Sequence, residues 1–501
     1  MNQRVSRTVQ QIGGKAVWIM AALSIAAFLI ALGIATAAKI EPLRPDTASY
    51  LYFDPSRSIG YPIFLWLIRT ITGQVALAVP MQMALLTAAL FVLGLSFYRL
   101  TGRPWLSIAF QAVALISPEM WLSASSLVTE AVATAFVAMW CAQLLRVIRT
   151  PDVRGIALLC LAALAATLVR PSLIVLFAAT LMPCIAMLQS GARWRGVACV
   201  AASFILSLVA TPVANFLIHG SPASGSPVAR GLLQHSMYCP LPAAPANPDA
   251  LLVEQTATPV RYYIDSAPAD IRGVLKQLYS GELRFGFFIP ALGRRHGFEA
   301  GWQTDPIIDQ IARGRIAANP RCYAGSALRS YYRMATYKTT GARGEISHIK
   351  TFLAEHPPVE VPAAQLLPRE EELAAKAARE IGSSKPARPG QRLFNPPKQK
   401  NLALMIAARL VYTTVAIATL LALALIPFRS RIRPDWRPFV VAGAALGVAY
   451  HGMLAITALV ELPLMRYTVP VWPVVCLVAG LLASCALAWL SARAVNGPRS
   501  A

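Results

Sequence analysis

The sequence predicts an all-α polytopic membrane protein of about ten transmembrane helices, carrying a mostly helical extracytoplasmic domain. Three observations lead there. Of 501 residues, 56% are hydrophobic and only 14% charged, with a mean hydropathy of +0.53, which excludes an ordinary soluble enzyme. Apolar runs long enough to cross a bilayer recur along the chain, and the short loops between alternate runs are rich in arginine. One stretch of roughly 180 residues, 219–400, breaks the pattern with clustered prolines and frequent charges.

The elements follow in order. A first apolar run, 16–38, has Arg4, Arg7 and Lys15 before it, so the N-terminus is expected in the cytoplasm. Ala35-Thr36-Ala37 resembles a signal-peptidase site, but the run before it exceeds a signal core and reads as a retained span. The next segment, 59–71, is apolar, carries Arg69, opens on Gly60-Tyr61-Pro62 and is too short to span, which suits an interfacial helix. Further spans are expected at 75–98, 105–116 and 123–145. The run 156–187 is broken by Arg170-Pro171 into two spans, and 197–218 completes about seven. Three more, at 402–427, 439–459 and 469–490, finish the chain, with Arg429, Arg431, Arg433 and Arg437 in a cytoplasmic loop. The organisation is a membrane module at 1–218 with its first outer loop at 39–74, an outer domain at 219–400, and a second membrane module at 401–501. Within the outer domain, 269–283, 306–318, 323–337 and 370–380 read as helices, and 383–400 as a basic, Pro-rich linker.

The formal net charge of +23 would suit nucleic acid, but the basic residues lie mostly beside the spans and report orientation. No nucleic-acid partner is expected; the bilayer is, and the residual positive charge of the outer domain suits anionic lipid. Of eight cysteines, six fall in spans as small apolar residues. Cys239 and Cys322 fall in the outer domain, where they pair if that compartment is oxidising.

Few residues carry chemistry. There is no His-rich or Cys-x-x-Cys metal pattern, no Gly-rich phosphate loop and no Gly-x-Ser-x-Gly. His235 and Cys239, four apart, read as coincidence, and His451 as a hydrogen-bonded packing residue of its span. What remains is a polar set near the outer membrane face: Asp46, Arg57, Glu119, Glu130, Arg170, Glu461 and Arg466. Each has a plainer reading. Asp46 and Asp54 suit helix N-caps, Glu119 a solvated turn, Glu130 a capped acid, Arg170 a snorkelling cation, and Glu461 with Arg466 a local ion pair. Together, on one face of a bilayer, they form a candidate site.

Arg44-Pro45-Asp46-Thr47-Ala48-Ser49-Tyr50, Arg57-Ser58-Ile59-Gly60-Tyr61-Pro62, Ser117-Pro118-Glu119, Leu127-Val128-Thr129-Glu130, Val169-Arg170-Pro171 and Arg466-Tyr467 with Pro470 and Pro473 resemble, in that order, the GT-C superfamily. These are integral-membrane glycosyltransferases using polyprenyl-phosphate sugars, among them protein mannosyltransferases and bacterial aminoarabinose transferases. The resemblance covers the first two hundred or so residues and the last forty. It implies transfer of a sugar to a glycan, lipid or protein hydroxyl at the outer face of the inner (plasma) membrane; the count of ten spans and the basic loops, independently, lead to the expectation that both termini are cytoplasmic. By that resemblance Asp46 is the catalytic or metal-binding acid. Arg57, Arg170, Arg466, Tyr467, Tyr50, Glu119 and Glu130 are then expected around the donor phosphate and substrates. Many members carry a second acid beside the first; here the neighbours are Pro45 and Thr47, with Asp54 nearest, so a divalent metal cofactor stays open. Two rival classes are an oligosaccharide ligase or polymerase using a diphosphate donor, and a secondary transporter, against which the missing repeated halves count.

Overall fold

The computed structural model describes residues 2–37, 46–220, 227–269, 271–281, 283, 287–336, 349, 351–361, 367–381, 402–434, 436–460 and 465–495. Arg44, Glu461 and the expected linker lie outside the described residues, as do the side chains of Arg466 and Tyr467. Among the described residues every regular element is a helix.

The first module holds α1 (Asn2–Ala37), α2 (Thr47–Leu51), α3 (Gly60–Thr72), α4 (Ala78–Thr101), α5 (Pro104–Leu115), α6 (Pro118–Ala124), α7 (Thr129–Arg149), α8 (Val153–Val169), α9 (Val175–Met187) and α10 (Ser190–His219). The middle region holds α11 (Pro227–Ser236), α12 (Pro248–Ser266), α13 (Arg272–Gly281), α14 (Ile289–Arg295), α15 (Asp305–Ala318), α16 (Pro320–Ala335) and α17 (Pro368–Ile381). The chain closes with α18 (Leu402–Leu425), α19 (Arg437–Val460) and α20 (Trp472–Val495).

Seven helical stretches are long and apolar enough to cross a membrane: Gly13–Ala37, Val75–Thr101, Thr129–Arg149, Ser190–His219, Ile406–Phe428, Arg437–Val460 and Thr468–Ser491. The protein is therefore a multi-pass membrane protein. Helices α5 and α6 together make an eighth candidate, bent by 56° between them, and Val153–Val169 with Pro171–Met187 are shorter apolar helices. Apolar helices thus stand at every expected position, three of them below the length of a straight crossing. The break at Arg170-Pro171 falls where proline demands it.

One boundary differs from the sequence reading, which began a span near Ser123. There α6 ends at Ala124, and α7 starts only at Thr129 after Val128 turns extended (φ −139°, ψ 159°). The cause is tertiary: Gln82, a buried amide on α4, donates from Nε2 to the Ala124 carbonyl at 2.7 Å and the Ser126 carbonyl at 2.6 Å. Those bonds satisfy carbonyls that a continuous helix would have consumed itself.

Packing orders the bundle from the inside out. Of the apolar window of α7, 78% is buried, against 6% for α10 and 11% for the first span. Ala131, Ala133, Ala135 and Ala138 bring neighbouring helices close to α7, whereas Ile205, Val213, Phe216 and Leu217 of α10 point outward, as lipid-facing side chains do.

The middle region has its own core, including Leu233, Val253, Ile264, Leu275, Phe288 and Ile308. A disulfide joins Cys239 to Cys322, so neither it nor His235, whose Nδ1 lies 3.3 Å from Ser326 Oγ, forms a metal pair. Arg315, 2% exposed, donates to the carbonyls of Ser236 (3.2 Å) and Cys239 (2.9 Å), and Arg261 to that of Met237 (3.0 Å). These carbonyls close α11, where no intrahelical donor remains. Glu254 balances both arginines, accepting from Arg315 Nη1 at 2.6 Å and from Arg261.

Burial alone would raise the Glu254 pKa, but the Arg261 and Arg315 hydrogen bonds overcome it and hold it below 4.5. Its stabilising contribution is then complete above that value and disappears as pH falls through the depressed one. Glu254→Gln is expected to flatten the acid side of the thermal-unfolding profile. An unchanged slope below pH 4.5 would contradict the assignment.

The region meets the bundle through α16, which lies along α19. Tyr323 donates to the Leu459 carbonyl, and Tyr450 to the Ala335 carbonyl at 3.0 Å. The Tyr331 hydroxyl is 2.6 Å from His451 Nδ1, and Thr419 Oγ1 is 3.0 Å from its Nε2. His451 is thus a hydrogen-bonded packing residue. From Leu459 to His451, α16 accompanies a candidate span for about 12 Å.

Candidate active site

The first loop is built from α2 and the coil that follows it. Asp46 stands at the N-cap position of α2 but makes no capping bond, so the plainer reading of it is replaced. Its Oδ1 instead accepts from Arg57 Nη2 at 2.6 Å, both side chains being 20% exposed. Arg57 is held on three further sides: Nε donates to Ser49 Oγ at 2.8 Å, Nη1 lies 3.5 Å from the Tyr50 hydroxyl, and the guanidinium sits 4.8 Å from the Tyr50 ring centre. Burial acts to lower the Arg57 pKa, but Tyr50, Asp46 and Asp54 outweigh it and raise it above the ordinary arginine value.

Asp54 does not cap a helix either. Its Oδ1 accepts from the backbone N–H of Ser56 at 2.8 Å and from Ser56 Oγ, an Asx turn. Phe53 beside it has φ +54°, a left-handed conformation that costs a non-glycine residue about 1 kcal/mol or more. His219 at the end of α10 fixes that turn by donating from Nε2 to the Phe53 carbonyl at 2.6 Å.

A second pair lies one layer in. Glu130, 4% exposed in the first turn of α7, faces Arg170 at the end of α8, with Nη1 to Oε1 of 3.5 Å. Two bonds join the layers. Thr47 Oγ1 donates to the Leu127 carbonyl at 3.2 Å, three residues before Glu130, and Ser58 Oγ donates to the Val169 carbonyl at 2.9 Å, next to Arg170. Tyr61 packs edge-on against Tyr50 and donates to Gln82 Oε1 at 3.0 Å, so the amide that shapes the α6–α7 turn also fixes the loop.

Gly60 permits the contact. A Cβ there would stand 2.6 Å from the Leu168 carbonyl carbon and 2.8 Å from the Val169 nitrogen, both main chain. Gly60→Ala is expected to cost about 1–3 kcal/mol and to part Ser58 from Val169. A wild-type melting temperature for that variant would show that the loop seats elsewhere.

The backbone of 465–471 packs on α6 and α7, which brings the Arg466-Tyr467 segment to the same end of the bundle. Glu119 lies in the first turn of α6, half-buried, behind an N-cap in which Ser117 Oγ accepts from the Met120 N–H. Helix α17 closes the loop from the other side, with Lys376 over the Tyr52 ring at 4.9 Å and Glu380 paired to Arg69 at 3.3 Å. Among the described residues no group of three or more His, Cys, Asp or Glu side chains converges as a metal would require, and Asp54 turns to its own loop rather than to Asp46.

Thr47, Ser49, Ser58 and Tyr61 stand in the stretches that the sequence singled out but were given no role of their own, and Gln82 and His219 were not singled out at all. Gln82 left a signal, an amide inside an apolar span, and Ser58 with Gly60 another, small residues beside a span corner. No family model matches the chain, and no curated protein or solved structure matches it either.

Proposed function

We propose that the protein is a membrane glycosyltransferase of GT-C type. It moves a sugar from a polyprenyl-phosphate donor to an acceptor hydroxyl on the extracytoplasmic side of the inner membrane. On this reading about ten spans cross the bilayer, both termini are cytoplasmic, and the 219–400 region lies outside, where its disulfide suits an oxidising compartment. One observation carries the reading: the first-loop acid, Asp46, is positioned by Arg57 and docked on the corner that holds Glu130 and Arg170.

Asp46 is the base. Arg57 engages its Oδ1, and a carboxylate has about four acceptor sites, so the pairing orients the group without exhausting it. As the acceptor oxygen bonds to the anomeric carbon, the carbon–oxygen bond to the phosphate breaks and the acceptor proton passes to Asp46. Charge grows on the departing prenyl phosphate, and Arg57 and Arg170, with Arg466 from the third segment, offset it. A single displacement inverts the anomeric carbon. Glu119 and Glu130 orient substrates, with Tyr50 and Tyr467 beside the phosphate.

The test is incubation of purified protein with a polyprenyl-monophosphate sugar, following release of prenyl phosphate. Release that stops in Arg57→Ala while the protein stays folded supports the reading. Turnover only with a diphosphate donor favours the ligase or polymerase class, and uptake into proteoliposomes without transfer favours a transporter.

A further inference from the structure

Between Asp46 and Arg57 the first loop runs back on itself, and the reversal is held from a distant helix. After α2 the chain turns at Phe53, whose φ of +54° a non-glycine residue seldom adopts, and Asp54 then closes its turn on Ser56. The Asp54 carbonyl accepts from the Arg57 N–H at 2.9 Å, so this turn delivers Arg57 back to Ser49, Tyr50 and Asp46. Strain of this kind persists only where the surroundings over-determine it. They do so through the last turns of α10. His219 donates from Nε2 to the Phe53 carbonyl at 2.6 Å, and Asn215, 3% exposed, donates from Nδ2 to the Pro55 carbonyl at 3.3 Å. The two carbonyls flank Asp54 in the chain.

These two side chains stand apart from the rest of their helix end. Val213, Phe216, Leu217 and Ile218 point outward, while Asn215 and His219, four apart, share the face turned to the loop. Contacts with α8 and α9 already seat α10 in the bundle. A buried amide is costly unless hydrogen-bonded, and this one is spent on the loop. We propose that Asn215 and His219 are positioning residues, which lock the Phe53–Pro55 turn and thereby hold Arg57 against Asp46. Their effect on rate rests on the proposed sugar transfer, whereas the lock itself does not.

The full chain is assayed for prenyl-phosphate release from a polyprenyl-monophosphate sugar, with kcat and donor binding measured separately. Displacing a reacting group by an ångström costs about 100-fold in rate, so His219→Leu should lower kcat by about that factor and leave donor binding unchanged. His219→Gln keeps an N–H donor and should restore most of the rate. Glycine adopts a positive φ without steric cost, so Phe53→Gly added to His219→Leu should also recover kcat, which a mere loss of stability would not allow. Asn215→Leu opens the other side of the turn and should also lower kcat, so a folding failure in one variant leaves the other to decide. Hydrogen exchange at the amides of residues 53–57, read by mass spectrometry, follows the lock without turnover and should quicken in both leucine variants. Wild-type kcat in both folded leucine variants overturns the positioning role, as does a lowered kcat that neither His219→Gln nor Phe53→Gly recovers. Absence of release by the wild-type protein overturns sugar transfer instead; faster exchange in the leucine variants then leaves the positioning of Arg57 standing, and unchanged exchange overturns that too.

Discussion

Asp46→Asn is expected to lower prenyl-phosphate release by about 10²- to 10⁴-fold, the usual worth of a positioned base, with donor binding unchanged. Asparagine keeps the size of the side chain and an oxygen for Arg57 to hold at the 2.6 Å position, so the loop should remain seated. What it loses is the ability to take a proton. The measurement pairs single-turnover release with a donor-binding titration. Full turnover in a folded Asp46→Asn protein would remove this residue from the chemistry, whereas weakened binding with unchanged turnover would make it a substrate contact.

Arg170→Ala should destabilise the protein by about 3–5 kcal/mol, because it removes one partner of a buried ion pair whose other member, Glu130, is 4% exposed. Glu130→Gln combined with Arg170→Met should recover much of that loss, since no isolated charge is left behind. Thermal unfolding of the two single variants and the double variant closes the cycle. Additive losses would mean that the pair does not couple, and that each group is held by other neighbours.

Much of this was legible in the residues. A long apolar run can be satisfied only by a spanning helix, so the seven strong crossings were evident, and Arg170-Pro171 marked its own break. The chemistry-bearing residue types were legible too, because Asp, Glu and Arg are costly at a membrane and few in number there. Partner choice was not. Asp46 suited an N-cap by local rules, and only the folded loop shows Arg57 taking its oxygen. Glu130 and Arg170 are forty residues apart on different helices, a pairing that local pattern does not specify. The start of α7 was misplaced because Gln82, distant in sequence, competes for the carbonyls of Ala124 and Ser126.

Helix α19 packs between α9 and α18 and receives α16 along one flank. Its sequence leaves the ribosome long after that of α9, roughly 250 residues later, which at about 5–20 residues per second is on the order of 10–50 s. Throughout that interval the nascent membrane module has an unfilled seat, and Tyr331 and Ala335, once made, still await partners that lie roughly 115–120 residues further along the chain. Biogenesis must therefore tolerate a half-assembled bundle, and a chain truncated before Arg437 should be recognised by membrane quality control even though its proposed base, Asp46, was made among the first fifty residues.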